Sequence, residues 1–489
     1  MKKIALFLSL LFLCWPWKGT FFQAVADVTT PSTSGTSDTT SNQTQDSRDA
    51  KIKDLEVTIE KEQQIIEELK QRVEALEKKE ATTPTSPPPA SATGPQPVMV
   101  SKPGVKLNLY GFVEATGISD TNPLFPDDLA GPFWALSPND PTFKKQTSGS
   151  VDFTAQYSRV GLEISAPPTG GGWKPTGKVE MDFNGSLTAS PFQDAFSRSQ
   201  MIPRLRLAFA KITKGDWNLE IGQDWEAIRQ NLPVVFTSED PFLDSGEVGY
   251  RRPLIRAAYL PKTGFQAMLD AGLMDALSNA NLDAAAGDIF RNGQMSTRPL
   301  YELRLGYAWP SSVKTPYSFA LWGARGWEKT VAGTVAGLTD FNMKVMGADF
   351  TLPFASWFQL KGKAWTGSNL ADVRGAIGQG INTLNGANIG ARGGWIQAGV
   401  GFTPHYWVWI GDSVDNPFYG DLNNAPAAFT GSNGFPLARV RNSFFSLTQI
   451  WNLGPTTDIG LEYFYHNTYY KIAPTGVDSR IQFSAHQLF

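Results

Sequence analysis

The chain has one cysteine, Cys14, and three histidines, His405, His466 and His486, among 489 residues. Cys14 lies inside an N-terminal apolar run that is removed on secretion, so disulfides, thiol catalysis and thiolate metal sites are excluded together. The histidines are scattered and sit in no nucleophile motif, which argues against a Ser–His hydrolase and against a zinc site. No enzyme, cofactor or metal is expected, and the Asp412–Asp421 stretch reads as solvated loop charge and not as a Ca²⁺ site. P-loop and dinucleotide fingerprints are missing too; Gly170-Gly171-Gly172 is a turn. After the N-terminal run, no stretch approaches the roughly eighteen consecutive apolar residues of a spanning helix. Charge of one sign does not dominate, with 43 Lys+Arg against 46 Asp+Glu. Any charge selectivity must come from local placement, and no nucleic-acid partner is expected.

What is present is alternation. In the final segment, Ile481, Phe483, Ala485 and Phe489 fall on one parity, while Arg480, Gln482, Ser484 and His486 fall on the other. One apolar face running to the last residue suits a closed barrel in lipid. A terminal Phe after such alternation resembles the assembly signal of bacterial outer-membrane barrels, although Gln487 departs from the pattern. Aromatics make up 12% of the chain, with 15 Trp, which fits interfacial girdles.

The N-terminal fifth divides by composition. Lys2-Lys3, an apolar run from Ile4 to about Trp15, and Ala24-Val25-Ala26 read as a secretory signal, residues 1–26. Leu13 sits where a lipoprotein would need a small residue. Residues 27–47 are Ser/Thr/Gln-rich and are expected to be disordered. Residues 48–80 carry heptads, with Ile52, Ile59, Ile66 and Val73 at a and Leu55, Leu69 and Leu76 at d, interrupted by Glu62. This predicts a coiled coil, with a lone amphipathic helix as the alternative. β-branched a with Leu at d favours two strands in parallel coils. Residues 81–104 contain Pro84, Pro87, Pro88, Pro89, Pro95, Pro97 and Pro103 and read as a stiff spacer.

Residues 105–489 show about sixteen alternating segments, joined by connections that alternate long and short. The predicted fold is therefore an all-β transmembrane barrel of about sixteen antiparallel strands, preceded by the coiled-coil helix. Both termini would be periplasmic and the long loops outside. Alternation points Arg159, Arg204, Arg206, Arg252, Arg256 and Arg304 into the lumen, because lipid-side arginine near the midplane costs about 2–4 kcal/mol. In the segment after Met201, Arg204 and Arg206 oppose Leu205, Leu207 and Phe209, and a parity flip near Ser158 suggests a bulge. The third long loop, 227–250, carries Glu239, Asp240, Asp244 and Glu247 and is the candidate constriction. A basic wall facing this acidic loop gives a transverse field; alternatively, wall and loop charges pair and merely fasten the loop.

Leu107-Asn108-Leu109-Tyr110-Gly111-Phe112-Val113, Gln156-Tyr157-Ser158-Arg159-Val160-Gly161-Leu162 and Ile221-Gly222-Gln223-Asp224-Trp225, with this domain order, resemble the DcaP-like outer-membrane porins. The resemblance implies a homotrimer in outer-membrane lipid whose six arginines admit small anions such as dicarboxylates. Phosphate-selective porins are the nearest rival. A tether holding the outer membrane to the cell wall through the coiled coil, with an incidental pore, is the structural alternative.

Overall fold

The computed structural model describes residues 104–122, 124–125, 134–139, 149–185, 202–238, 240–274, 292–330, 337–382, 384–422 and 438–489. The signal, the segment 27–47, the coiled coil and nearly all of the spacer lie outside the described residues, as does Glu239.

The strands are β1 (Lys106–Asp120), β2 (Leu124–Phe125), β3 (Trp134–Ala135), β4 (Ser150–Thr154), β5 (Arg159–Ser165), β6 (Lys174–Gly185), β7 (Ile202–Lys214), β8 (Trp217–Trp225), β9 (Arg251–Tyr259) and β10 (Gly264–Gly272). They continue as β11 (Leu300–Trp309), β12 (Tyr317–Lys329), β13 (Asp340–Ala355), β14 (Phe358–Ser368), β15 (Gly390–Thr403), β16 (Tyr406–Pro417), β17 (Arg439–Asn452), β18 (Thr457–Tyr470) and β19 (Gly476–Leu488). β2 and β3 form a small ribbon within the first long loop. The other seventeen make one antiparallel sheet, in which β4 and β5 lie end to end along β1 and count as one. The barrel is thus sixteen-stranded, and β1 pairing with β19 closes it.

Closure uses the terminal aromatic. Gly111 and Phe489 exchange main-chain hydrogen bonds of 3.1 and 3.3 Å, one residue beyond the last strand. A Cβ on Gly111 would lie 2.7 Å from the Phe489 ring, so only glycine lets that ring lie flat on β1.

The break between β4 and β5 falls where the parity flip near Ser158 places a bulge. Tyr157 turns inward there, and Ser158 Oγ accepts from Glu114 N–H (3.0 Å) and donates to Glu114 O (3.2 Å). A second irregularity corrects the reading of β7. Leu205 stands opposite Met181 but Leu207 stands opposite Glu180, so one extra residue is inserted at Arg206. Leu205 remains exposed on the outside while Leu207 is buried inside, which reverses parity after the bulge.

Outside, exposed Leu109, Ile221, Ile255, Leu269, Leu303, Leu321, Met346, Ile396 and Phe483 form an apolar band that water would not tolerate and lipid would. Aromatic pairs Trp217–Tyr259, Trp309–Tyr317, Phe354–Phe358 and Tyr406–Trp451 line its short-turn edge. No described helix is long and apolar enough to cross a membrane.

Candidate functional site in the barrel lumen

The loop between β8 and β9 lies along the inner wall. Ala227 N–H donates to Asp270 (3.0 Å) and Ile228 N–H to Glu302 (3.2 Å). Gln397 holds both main-chain groups of Val234, at 2.6 and 2.9 Å. Glu462 accepts from the N–H groups of Phe236 (2.8 Å) and Thr237 (3.0 Å), and Ser238 Oγ donates to Glu114 (2.6 Å). The outgoing leg therefore reaches from β10 and β11 past β15 and β18 to β1. An irregular chain buried in a lumen needs such partners for its main chain, and wall polar side chains supply them.

The return leg is fastened to the β14–β17 wall. Lys363 and Glu247 form a fully buried ion pair, and Trp395 Nε1 donates to the same carboxylate (2.6 Å). Trp365 Nε1 donates to Gly246 O (2.7 Å), and Asn442 Nδ2 to Asp244 O (2.9 Å). Gly246 has φ 134°, and a Cβ there would meet Gly394 O at 2.3 Å, so the backbone lies flush against β15. The loop 369–389 also turns inward: Gly249 N–H donates to Val373 O (2.8 Å) and Ile377 N–H to Asp415 (2.9 Å). Trp134 and Leu136 of the first long loop pack on Ile377.

These segments enclose an apolar core inside the barrel. Ile228, Val248, Leu370, Val373 and Ala376 pack with Trp322, Met343, Val345 and Trp365. Burying each such aliphatic side chain contributes about 1.5–3 kcal/mol, enough to hold loops that would otherwise wave in solvent. The acidic groups of the loop are fastened too. Asp240 pairs with Arg229 (2.5 Å) and Asp244 with Arg374 (3.4 Å). Burial pushes the carboxyls of Glu226 and Glu247 above the usual range and that of Asp244 up to about 6, against the opposing pull of nearby cations.

All six sequence-predicted arginines sit on the lumen side, and each has a carboxylate partner. Arg204 is bidentate to Asp182 (2.7 and 3.0 Å), and Arg206 bridges Glu180 and Asp182, both at 2.9 Å. Arg159 lies 3.6 Å from Glu180. Arg256 is bidentate to Asp270 and reaches Asp224 (2.9 Å). Arg252 joins Glu226 at the start of the β8–β9 loop to Asp372 of the loop 369–389 (3.0 Å). Arg304 pairs with Asp349. Among the described residues, none of the six pairs with Asp240, Asp244 or Glu247. The transverse arrangement is corrected to that extent: carboxylates on the adjacent strand, ~4.8 Å away, reach Arg159, Arg204, Arg206 and Arg256 first, while Arg304 meets Asp349 two strands along and Arg252 meets the loop acids Glu226 and Asp372. Of the described loop acids, Asp240, Asp244 and Glu247 are taken by Arg229, Arg374 and Lys363.

In three wall pairs the more exposed member is the cation. Side-chain exposure is 19% for Arg159 against 7% for Glu180, 22% for Arg204 against 2% for Asp182, and 30% for Lys211 against 1% for Glu220. These three lie on β5 and β7, whereas Arg206, Arg252 and Arg256 are buried. The β5–β7 wall therefore turns cations to the lumen and keeps their carboxylates beneath. Lys178 and Glu163 (3.5 Å) break that rule, Glu163 being the more exposed.

Sequence reasoning missed Lys211, Lys363, Trp365, Trp395, Arg229 and Arg374. The inward parity of Lys363 and Trp365 within β14 was the available signal; nothing local marked the loop 369–389 as inward.

No protein-family model matches the chain, and no curated protein matches it. Solved structures do. The outer-membrane channel DcaP of Acinetobacter baumannii superposes with a TM-score of 0.61 at 17% identity, covering 81% of this chain and 100% of that one. An anion-selective porin from Comamonas acidovorans gives 0.50 at 12% identity, over 79% and 100% respectively. The resemblance to DcaP-like porins thus holds in the fold.

Proposed function

We propose that this chain is an outer-membrane porin for passive diffusion of small hydrophilic solutes, favouring small anions such as dicarboxylates. The observation that carries this reading is the layering on β5 and β7, where Arg159, Arg204 and Lys211 face the lumen above buried Glu180, Asp182 and Glu220. A solute in the lumen meets the guanidinium or ammonium first, and low-dielectric walls focus that field. DcaP and the anion-selective Comamonas porin share the fold, which supports a channel role. The reading includes a homotrimer, a secretory signal over 1–26, a periplasmic coiled coil over 48–80 and a Pro-rich spacer over 81–104. The test is reversal potential in a planar bilayer under a salt gradient, followed by competition with succinate and with phosphate. Anion preference that succinate blocks better than phosphate supports the dicarboxylate reading; cation preference overturns it.

A further inference from the structure

On the outer face, four cations lie near the long-loop edge of the apolar band: Arg325 on β12, Lys344 on β13, Arg392 on β15 and Arg441 on β17. All four are exposed. Arg325 and Lys344 are direct cross-strand partners, an arrangement of like charges that destabilises a sheet. Among the described residues, no carboxylate lies within ion-pair distance of any of the four. The nearest outward acids do not pair with them: Asp340 is opposite Lys329, and Asp412, lower on β16, feels the charge of Arg441 without coming within ion-pair distance. Arg325 stacks over Trp327 (5.2 Å) and Arg441 over Tyr469 (5.8 Å). Arg392 and Arg441 line one cleft of about 560 Å³ with Phe418, Tyr419 and Tyr469.

Depth fixes the environment. Arg325, Arg392 and Arg441 are about eight to ten residues along their strands from Tyr317, Phe402 and Trp451 of the short-turn edge. At ~3.3 Å per residue and a tilt of about 40°, that is ~20–25 Å of height, the full apolar band. The cations therefore sit at the opposite headgroup level, in two groups separated by about two strand spacings, or ~10 Å. We infer that this belt binds the phosphorylated headgroup of an outer-leaflet glycolipid, one phosphate between Arg325 and Lys344 and a second in the Arg392–Arg441 cleft. Acyl chains then lie on the apolar band below, and the phosphate removes the repulsion between facing cations. The inference rests on the outer-membrane reading, in which the long loops face outward, but not on solute selectivity.

The test uses the full-length protein in neutral detergent, with native mass spectrometry counting retained bisphosphoryl lipid A. Arg325→Gln/Lys344→Gln and Arg392→Gln/Arg441→Gln, singly and combined, should still shift mobility on heating as folded barrels do. The combined variant should bind lipid A at least tenfold more weakly than the parent, and monophosphoryl lipid A should lose sensitivity to one pair. Conductance should stay unchanged, because the belt lies outside the lumen; a pore with wrong selectivity but intact lipid binding would sink only the porin reading. Equal lipid retention by parent and combined variant overturns the inference. So does displacement of lipid by millimolar inorganic phosphate, which would mark a free-anion site. Loss of oligomer without loss of lipid also overturns it, by assigning this face to contact between copies.

Discussion

Lys363 and Glu247 are buried against each other with two tryptophans around them. Removing one partner strands the other charge, a change that costs about 3–5 kcal/mol, whereas replacing both by apolar groups is nearly neutral. Lys363→Met should therefore release the return leg of the constriction loop and raise and broaden single-channel conductance. Lys363→Met/Glu247→Leu should restore it, and unchanged conductance in the single variant would show the loop is held by its other contacts. Asp244 gives a pH dependence. Its folded value of about 6 lies above the ordinary 3.8, so between these values the attached loop holds a proton that a released loop gives up. Attachment is strongest at low pH and weakens as pH rises through about 6. Arg374, Arg439 and Arg229 face Asp244 and oppose the burial that raises it, while Asp415 lies on the same side. Hydrogen exchange of amides 240–249, corrected for intrinsic rate, should slow toward pH 4 in the parent and stay flat in Asp244→Asn; equal slopes would rule Asp244 out. Among the lumen arginines, Arg159→Ala/Arg204→Ala/Lys211→Ala should lower the anion-to-cation permeability ratio several-fold. Arg206 still holds Asp182 and Glu180 in that variant, so the wall survives.

The β8–β9 loop is positioned as an element, by its fit as much as by its charges. Gly246→Val places a branched side chain where even a Cβ meets the Gly394 carbonyl. The expected outcome is a detached tip, seen as protease cleavage within 238–250 that the parent resists, with the barrel itself still heat-modifiable. A resistant loop would mean that β15 yields instead. The bulge at Arg206 is a second device of this kind. By inserting one residue it turns Arg204, Arg206 and Leu207 all inward and brings two guanidiniums onto one pair of carboxylates.

For the whole molecule, the proposed N-terminal helix and the barrel are expected to be separable in function. Ile66→Pro/Leu69→Pro breaks the heptad seam while every pore-lining residue described here lies after Val105. The oligomer should dissociate at a lower temperature on unheated gels, with single-channel conductance unmoved. A large conductance change would mean that the helix enters the pore. The expectation rests on the prolines between Pro84 and Pro103, a composition that a continuous helix does not tolerate.

Sequence alone determined the barrel and the facing of its strands apart from β7 beyond its bulge, because period-two alternation is a local property of each regular strand. Arg252 and Arg256 pointed inward on that ground, and the break near Tyr157 was visible as a change of parity. The terminal Phe489 likewise announced a closing strand. What only the tertiary structure decided is which charges remain available. Pairing depends on register between neighbouring strands and on where long loops fold, and neither is encoded within a single strand. The bulge at Arg206 passed unnoticed because Leu205, Leu207 and Phe209 look regular until Leu207 is set beside Glu180. The loop acids were read as facing the six arginines, but wall carboxylates one strand away satisfy Arg159, Arg204, Arg206 and Arg256 first. The inward turn of 369–389 follows from apolar contacts with Trp322, Met343 and Trp365, residues that come together only when the barrel closes.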